Sequence, residues 1–466
     1  MRNTGSATYA RIGGVFLSFF VLLPVFCHGS KEKGKEEEPV RLSVLIREKH
    51  YSSGLQNVFT KLELEEGIAV TVETIQDDQY PTVLHARLAD GTAPDVVEVS
   101  LPSLHALDPY LYFVDLSKEA WIPDLLIPPT DPYGKTFALP LNCAVSINAL
   151  FYNKDLFDRY GISEPKSWNE LLESCALIVK SGISIVPLAL STTESFPHTL
   201  LADAITKVLG EQGARDLVKR ATDDSIDWTH ERALYPVLGA YLELFKRGYV
   251  NKHHRTARVR EIIHDFTRDR IAMYFGSHLV ADAIIKERPG INLGACVLPI
   301  TENAQDVLTG SLEVQGLAVH KKSARVATAC RALSVLASAA YQNSFFEEHK
   351  GLPAFRNTTS AVIPACLSAL FKSHIEKGKV IQAIDAYAQA QNTPHRASVF
   401  PDFAAYVTDP APTAHTMLHR AQTEARRRKS RYKKKNESSC AGNTCHEPGS
   451  LTYRATRQSC HSRSRS

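Results

Sequence analysis

From Val40 to Val99 the chain switches repeatedly between two hydrophobic periods, and that alternation constrains the fold more than any other feature. Residues 40–46 read as a short strand bounded by charged side chains. Ser52 or Ser53 can cap a helix whose Leu55, Val58, Phe59 and Leu62 recur at i, i+3, i+4 and i+7, and Gly67 stops it. Residues 70–75 form a second β-branched strand, residues 80–89 a second helix ended by Gly91, and residues 95–99 a third strand. Strand, helix, strand, helix, strand at this spacing predicts right-handed βαβ units and a mostly parallel sheet. Ligands of such sheets sit beyond the carboxyl ends of the strands. Here those ends are Arg47-Glu48, Gln76-Asp77-Asp78 and Val99-Ser100.

A second α/β region starts near residue 145. Ser167-Trp168-Asn169-Glu170 has the spacing of a capping box, and Trp168, Leu171, Leu172, Cys175 and Val179 follow on one expected helical face. Residues 183–190 are apolar and strand-like. The pattern continues through Met273-Tyr274-Phe275-Gly276 and Cys296-Val297-Leu298-Pro299. Val326, Cys330, Leu333 and Ala337 mark a long helix ending near Glu348, and the chain reads helical from there to about Ala425. With 466 residues, 44% of them hydrophobic, the chain can bury one large core or two medium ones. Two α/β lobes are the economical division.

The N-terminus points to export. Arg2 and Arg11 form a cationic start, and residues 12–26 carry no charge, a run too short for a membrane span and suited to a signal peptide. Cys27 ends the run where lipoprotein signals place the acylated cysteine, although Phe26 departs from the small residue usual there; cleavage before Ser30 and free secretion is the alternative. Residues 28–39 form a charged linker. The expected location is the periplasm or cell envelope, with a lipid anchor on Cys27.

The formal charge of +4 is unevenly placed. Residues 426–466 carry twelve Lys/Arg against Glu437 and Glu447, so this segment is +10, and the rest of the chain is −6. Without Arg2 and Arg11, residues 28–425 stand at −8. The basic segment is expected to be a disordered tail, and no specific nucleic-acid binding is expected of the acidic lobes. Nine cysteines in a chain this long do not form a disulfide framework. Cys143, Cys175, Cys296, Cys330 and Cys366 sit in apolar contexts and read as core, and Cys440, Cys445 and Cys460 match no standard zinc spacing.

Catalytic signatures are missing from the sequence: no phosphate-binding Gly-rich loop, no H-E-x-x-H and no G-x-S-x-G. His253 and His254 are adjacent and point in different directions on a helix. Asp77-Asp78 and Asp223-Asp224 read as solvated turns rather than a glycosidase pair. The reading is a binding protein, not an enzyme, with no cofactor and no metal.

Several segments resemble one family. Ala149-Leu150-Phe151-Tyr152-Asn153-Lys154-Asp155-Leu156-Phe157, then Gly161-Ile162 and Pro165-Lys166-Ser167-Trp168-Asn169-Glu170, are similar to the most characteristic stretch of the extracellular solute-binding proteins, family 1, of ABC sugar importers, the maltose-binding-like group. Residues 90–97 resemble its "dG.aPDvv" strand entry, residues 271–276 its "G.aAM...G" segment, and residues 316–323 with 351–354 its late strand and loop. Together these span about residues 40 to 425.

The resemblance implies the two-lobed periplasmic-binding-protein fold (type II), each lobe a mostly parallel sheet flanked by helices, joined by a hinge. It places the first lobe at 40–140 with 316–360 and the second at 145–308 with 361–425, with crossings near 139–146, 308–315 and 360. It implies capture of a carbohydrate between the lobes, delivery to ABC transporter permease subunits in the cytoplasmic membrane, and a monomer. Candidate ligand contacts are Arg47, Asp78, Glu98 and Ser100 at strand ends of the first lobe and Asn142 at the first crossing. In the second lobe, Glu194 and Phe196 stand where maltose-type members use an acid and an aromatic. His278 replaces a Trp common in the family, which removes a stacking platform for maltodextrins, and Glu313 lies at the second crossing. Alternatives are a non-sugar solute in the same fold (a polyol phosphate, a polyamine, or iron through Tyr274 and His278) and an exported glycosidase-like enzyme.

Overall fold

The computed structural model describes residues 39–100, 104, 107–129, 134–141, 146–182, 184–191, 199–302, 306–311, 315–348, 352–384 and 401–440. In chain order the strands are β1 (Val40–Arg47), β2 (Ile68–Ile75), β3 (Val96–Val99), β4 (Leu139–Pro140), β5 (Ser146–Asn153), β6 (Val186–Ala189), β7 (Ile271–Ser277), β8 (Leu293–Cys296), β9 (Leu308–Ser311), β10 (Gly316–Val319) and β11 (Val380–Gln382). They form two sheets. The first has the order β2-β1-β3-β10-β4, and the second β11-β9-β5-β7-β6, with β8 also paired to β5.

The first sheet follows from the alternation in residues 40–99. β1 pairs in parallel with β2, Leu42 opposite Val70 and Val44 opposite Val72, and with β3, Val44 opposite Val96. The helix Ser53–Glu66 connects β1 to β2, with Ser52 as its N-cap accepting from the Leu55 N–H. Gly67 and Gly91 end this helix and Tyr80–Asp90 at φ 64° and 71°, a left-handed cap that a Cβ disfavours. Leu55, Val58, Phe59 and Leu62 are all buried, as their spacing predicts, and pack with Leu333, Leu336, Tyr341 and Phe345 from the late helices. Burying four such side chains contributes on the order of 8 kcal/mol before conformational entropy is subtracted.

Both sheets are more mixed than the strand–helix repeat predicts. β10 is antiparallel to β3 and to β4; it returns to the first sheet from β9 of the second and belongs to no βαβ unit, so the connection that makes β1, β2 and β3 parallel does not govern it. In the second sheet β5 is antiparallel to β7, β8 and β9, while β6–β7 and β9–β11 are parallel. The chain passes between sheets at 141–145, at 312–315 and between Phe355, bridged to Leu125, and Val380, paired to β9. One apolar cluster runs across both sheets, with Leu45, Val97 and Ala318 from the first and Ile147, Phe151 and Leu308 from the second.

Several local expectations need correction. On the helix Trp168–Lys180 the buried face ends in Ile178, and Val179 is exposed. Ser167 Oγ accepts the Glu170 N–H at 3.2 Å, but the Glu170 carboxylate turns back to the Lys166 N–H at 2.8 Å, one residue beyond a true capping box. The single long helix expected from Val326 is two, Val326–Leu336 and Ala339–Glu348. The break is stable because the buried Gln342 side chain donates to the freed Leu336 carbonyl at 2.8 Å. The stretch to Ala425 is not uniformly helical: it holds β11 and a short π-helical turn, Phe371–Ile375. The basic segment expected to be disordered is helical to Cys440, continuing the helix that starts at Ala414.

Cys175 and Cys296 are buried free thiols, as their apolar contexts predict, and burial pushes Cys175 up to about 12. Cys330 and Cys366 are only half-buried. Cys27 and Cys143 lie outside the described residues. Among the described residues no helix is long and apolar enough to cross a membrane, and no group of three or more His, Cys, Asp or Glu side chains is placed to hold a metal.

Candidate functional site

The carboxyl ends of β1 and β3 lie side by side, and their polar side chains form one cluster. Glu98 stands in an otherwise all-valine strand, and its carboxylate is 1% exposed. A buried carboxylate must be saturated with donors to stay ionised. Its Oε2 accepts the Arg47 backbone N–H at 2.7 Å. Its Oε1 accepts from the Arg47 guanidinium at 2.9 Å and from His50 Nδ1 at 2.6 Å. Three of roughly four acceptor positions are thereby used.

Tyr80 completes the cluster from below. Its buried hydroxyl reaches the Glu98 carbonyl at 2.7 Å and the Leu45 carbonyl at 3.0 Å, and the Arg47 guanidinium lies 4.4 Å above its ring. Burial, reinforced by the Glu98 charge, pushes the phenol far above its usual range, so Tyr80 is a neutral donor. The guanidinium is therefore held between the Tyr80 ring and the Glu98 carboxylate, with the Arg47 backbone fixed by the same carboxylate, and is preorganised before anything binds.

The other first-lobe candidates stand around this cluster. Ser100 is half-buried just past β3, and its carbonyl accepts the Leu104 N–H at 2.9 Å. Asp78 is exposed in the turn 76–79 that leads into the helix Tyr80–Asp90. Its neighbour Asp77 pairs with Lys49 at 2.5 Å, and the second Asp77 oxygen is buried without a hydrogen-bond partner. Thus Arg47 and Glu98 are in direct contact, while Asp78 sits on the adjacent strand end.

In the second sheet, His278 follows β7 and leads the helix Leu279–Glu287. Its backbone N–H donates to the Ile147 carbonyl of β5 at 2.8 Å, two residues after the first crossing. Its Nδ1 is sealed from solvent and has no hydrogen-bond partner. Burial pushes its pKa down to about 4, so at neutral pH the ring is uncharged, with one nitrogen donating and the other accepting. With Nδ1 sealed, a neutral imidazole has only Nε2 to offer a hydroxyl group, as donor or acceptor according to tautomer. Tyr274, four residues earlier, is 5% exposed and belongs to the core. Asn142, Glu194, Phe196 and Glu313, like Cys27, lie outside the described residues.

Besides Tyr80, four further side chains escape the sequence reading. His50 sits in a single 3-10 turn, Glu48–His50, that folds back over β3. Gln315, next to the second crossing, has a buried, unpartnered side-chain amide, Nε2. Asp203 and Lys207 form an ion pair of 2.9 Å inside the second lobe, 0% and 1% exposed. Asp203 also accepts from Thr309 of β9 at 2.5 Å, Lys207 donates to the Leu298 carbonyl at 3.1 Å, and Asn148 of β5 reaches Thr309 at 3.4 Å. Burial raises the Asp203 carboxyl while Lys207 and Thr309 pull it back. The network ties the helix Thr199–Thr222 to the two strands that border both crossings.

Polar groups collected at strand ends on two sheets joined by short crossings are the arrangement of a two-lobed receptor. The model of the bacterial extracellular solute-binding protein family matches residues 49–343, which is more than half of the chain. The chain belongs to this family. It is 23% identical to the multiple sugar-binding protein of Streptococcus mutans over 68% of this chain and 77% of that protein. Among solved structures it is similar to Tp0737 from Treponema pallidum, 98% identical, with a TM-score of 0.77 over 83% of this chain and 100% of that one. A sugar transporter protein of Bacillus licheniformis, solved with stachyose, is 18% identical, with a TM-score of 0.54 over 83% and 100%. The fold is therefore the two-lobed one of solute-binding proteins, and an extracellular family makes this an exported protein.

Proposed function

We propose that the chain is the substrate-binding component of an ABC importer, closing its two lobes on a carbohydrate and passing it to membrane permease subunits. The observation that carries this reading is that a relative named for binding sugars matches 68% of the chain, which takes in parts of both sheets. The lobes are 40–140 with 316–360 and 145–308 with 361–425, hinged at the crossings. A sugar that touches both lobes only when they close shifts the population toward the closed form.

In this reading Arg47 and His50 present N–H donors to hydroxyls, Glu98 holds both in place with one acceptor position left, and Ser100 and Asp78 lie beside them. His278 meets the ligand from the second lobe as a neutral imidazole, with Asn142, Glu194, Phe196 and Glu313 supplying the remaining contacts. The protein acts by binding and not by catalysis, as a monomer, without a cofactor. The residues up to Cys27 are an export signal and Cys27 is the acylated anchor, tested by palmitate labelling against Cys27→Ala.

The deciding experiment is a thermal-shift screen of mono-, di- and trisaccharides. At least one sugar is expected to raise the melting temperature, by an amount that grows with concentration; a hundredfold excess over Kd stabilises by about 2.7 kcal/mol. Silence with every sugar, together with a shift from a phosphate ester, a polyamine or ferric ion, would replace carbohydrate by that solute. Hydrolysis of a sugar, abolished by changing one carboxylate, would overturn the non-catalytic reading.

A further inference from the structure

The helix Ala414–Cys440 changes character part-way along. Its first three turns are built into the second lobe: Met417, Leu418 and Ala421 are at most 1% exposed. Gln422 accepts the Trp228 backbone N–H at 2.9 Å, the Tyr406 hydroxyl donates to Glu424 at 2.6 Å, and the Arg420 guanidinium lies 4.3 Å over the Tyr406 ring. Ala425 is the last residue packed on that core. Beyond it the helix runs fifteen more residues, about 22 Å at 1.5 Å per residue. Arg426, Arg427 and Lys429 are exposed. Eight of the ten residues 426–435 are Arg or Lys, and none is acidic.

Such a segment is a poor helix by itself. Arg427/Arg431, Lys429/Lys433 and Arg431/Lys435 are like charges at i, i+4, each unfavourable by a few tenths of a kcal/mol. The packed turns before it supply the nucleus and the orientation, and a surface of opposite charge would remove the repulsion. The folded body meets only the start of the arm, where Arg426 lies near Asp227 and the half-buried Arg428 near Tyr406. The arm lies outside the segment matched by the family model, residues 49–343.

We infer that the basic helical arm Arg426–Lys435 docks this protein on anionic lipid head groups at the membrane face. The charge density fits adsorption to lipid phosphates: juxtaposed Lys and Arg side chains add attraction one by one within a Debye length of the surface. The segment has no apolar stripe (Tyr432 is its one aromatic), so it lies on the head groups rather than inserting. Residues 28–425, at −8, are repelled by the same surface. The result is a polarised molecule, its arm on the bilayer and its acidic lobes in the aqueous phase. An extracellular family works where nucleic acid is not the prevailing polyanion, which favours lipid as the partner. The inference is independent of which solute the lobes bind.

The test is co-sedimentation of the full chain with Cys27→Ala, so that acylation cannot supply the binding. Vesicles of phosphatidylcholine alone are compared with vesicles holding roughly 30 mol% phosphatidylglycerol, at about 50 mM and about 500 mM salt. Binding is expected only to the anionic vesicles and only at low salt. A variant carrying R426Q, R427Q, K429Q, K433Q, K434Q and K435Q should bind at least about tenfold more weakly at an unchanged melting temperature. Equal binding to neutral vesicles, binding that survives high salt, or capture by soluble heparin with none by vesicles would each overturn the inference. The salt series reads out on the unaltered arm, so misfolding of the variant would not spare the idea. Sugar-induced thermal shifts should be the same with and without the six substitutions, which separates failure here from failure of the transport reading.

Discussion

His278 makes a quantitative claim about pH. Unfolded, a histidine titrates near 6.5, so at about pH 5 the protonated form is favoured roughly thirtyfold. Folded, burial holds the ring neutral down to about 4. The folded chain therefore binds fewer protons than the unfolded one between those limits, and stability must fall as pH drops through that window. At about pH 5 the loss from this one residue is RT ln 30, about 2 kcal/mol, and below about pH 4 it stops growing. His320, also depressed by burial, adds a loss of the same sign, so the wild-type profile alone does not isolate His278. The assay is urea unfolding of wild type and His278→Gln at several pH values between 7.5 and 5, both free of ligand. Whatever the substitution costs at pH 7.5, the gap between the two curves should move by about 2 kcal/mol in favour of the variant on going to pH 5. A gap that stays constant would show that the imidazole is not held neutral, and the role assigned to it would go with that result.

Two further substitutions probe the buried charges. Glu98→Gln leaves Arg47 and His50 without their carboxylate in a site 1% exposed at its centre and should destabilise by about 2–3 kcal/mol in urea melts; a loss under about 0.5 kcal/mol would mean the cluster is not preorganised. Asp203→Leu strands the Lys207 ammonium in the core and should cost about 3–5 kcal/mol, whereas Asp203→Leu with Lys207→Met should recover most of it, and equal damage in single and double variants would refute the ion-pair account.

The first sheet was legible because each of its elements carries its own period. Leu55, Val58, Phe59 and Leu62 announce a helix by themselves, Gly67 announces its end, and Gly91 that of the helix Tyr80–Asp90. What the same residues do not announce is strand direction: β10 reads like any apolar strand, and its period does not reveal that it lies outside the βαβ units and runs antiparallel to β3. β11 is three residues long, below the length at which a period exists. At the site, strand-end logic finds Arg47 and Glu98 but not that they touch, because register sets their contact. His50 is missed because one 3-10 turn has no pattern, and Tyr80 because it reads merely as a helix start. Asp203 and Lys207 did carry a signal: an i, i+4 acid–base pair flanked by Leu200, Leu201, Ala202, Ala204 and Ile205, apolar on both sides, which a solvated pair would not be.

The two buried charge networks share a placement that bears on how a two-lobed receptor works. The Glu98 cluster locks the ends of β1 and β3 in one lobe, and Asp203–Lys207–Thr309–Asn148 locks β5 and β9 to a helix in the other. Each therefore lies inside one lobe and next to a crossing, and neither spans the cleft. Buried polar networks in a low dielectric tolerate few alternative packings, because each lost partner is costly. Under the proposed function, closure about the crossings would then proceed without either lobe deforming, and the free energy of ligand contact would go into moving the lobes instead of reorganising them. Apolar packing alone would hold the strands, but it permits small slips at little penalty, and a slip of β5 or β9 would carry the crossing residues with it. In the proposed reading, charges buried in pairs beside the hinge would restrict the motion to rotation between lobes, which is the motion that a population shift by ligand requires.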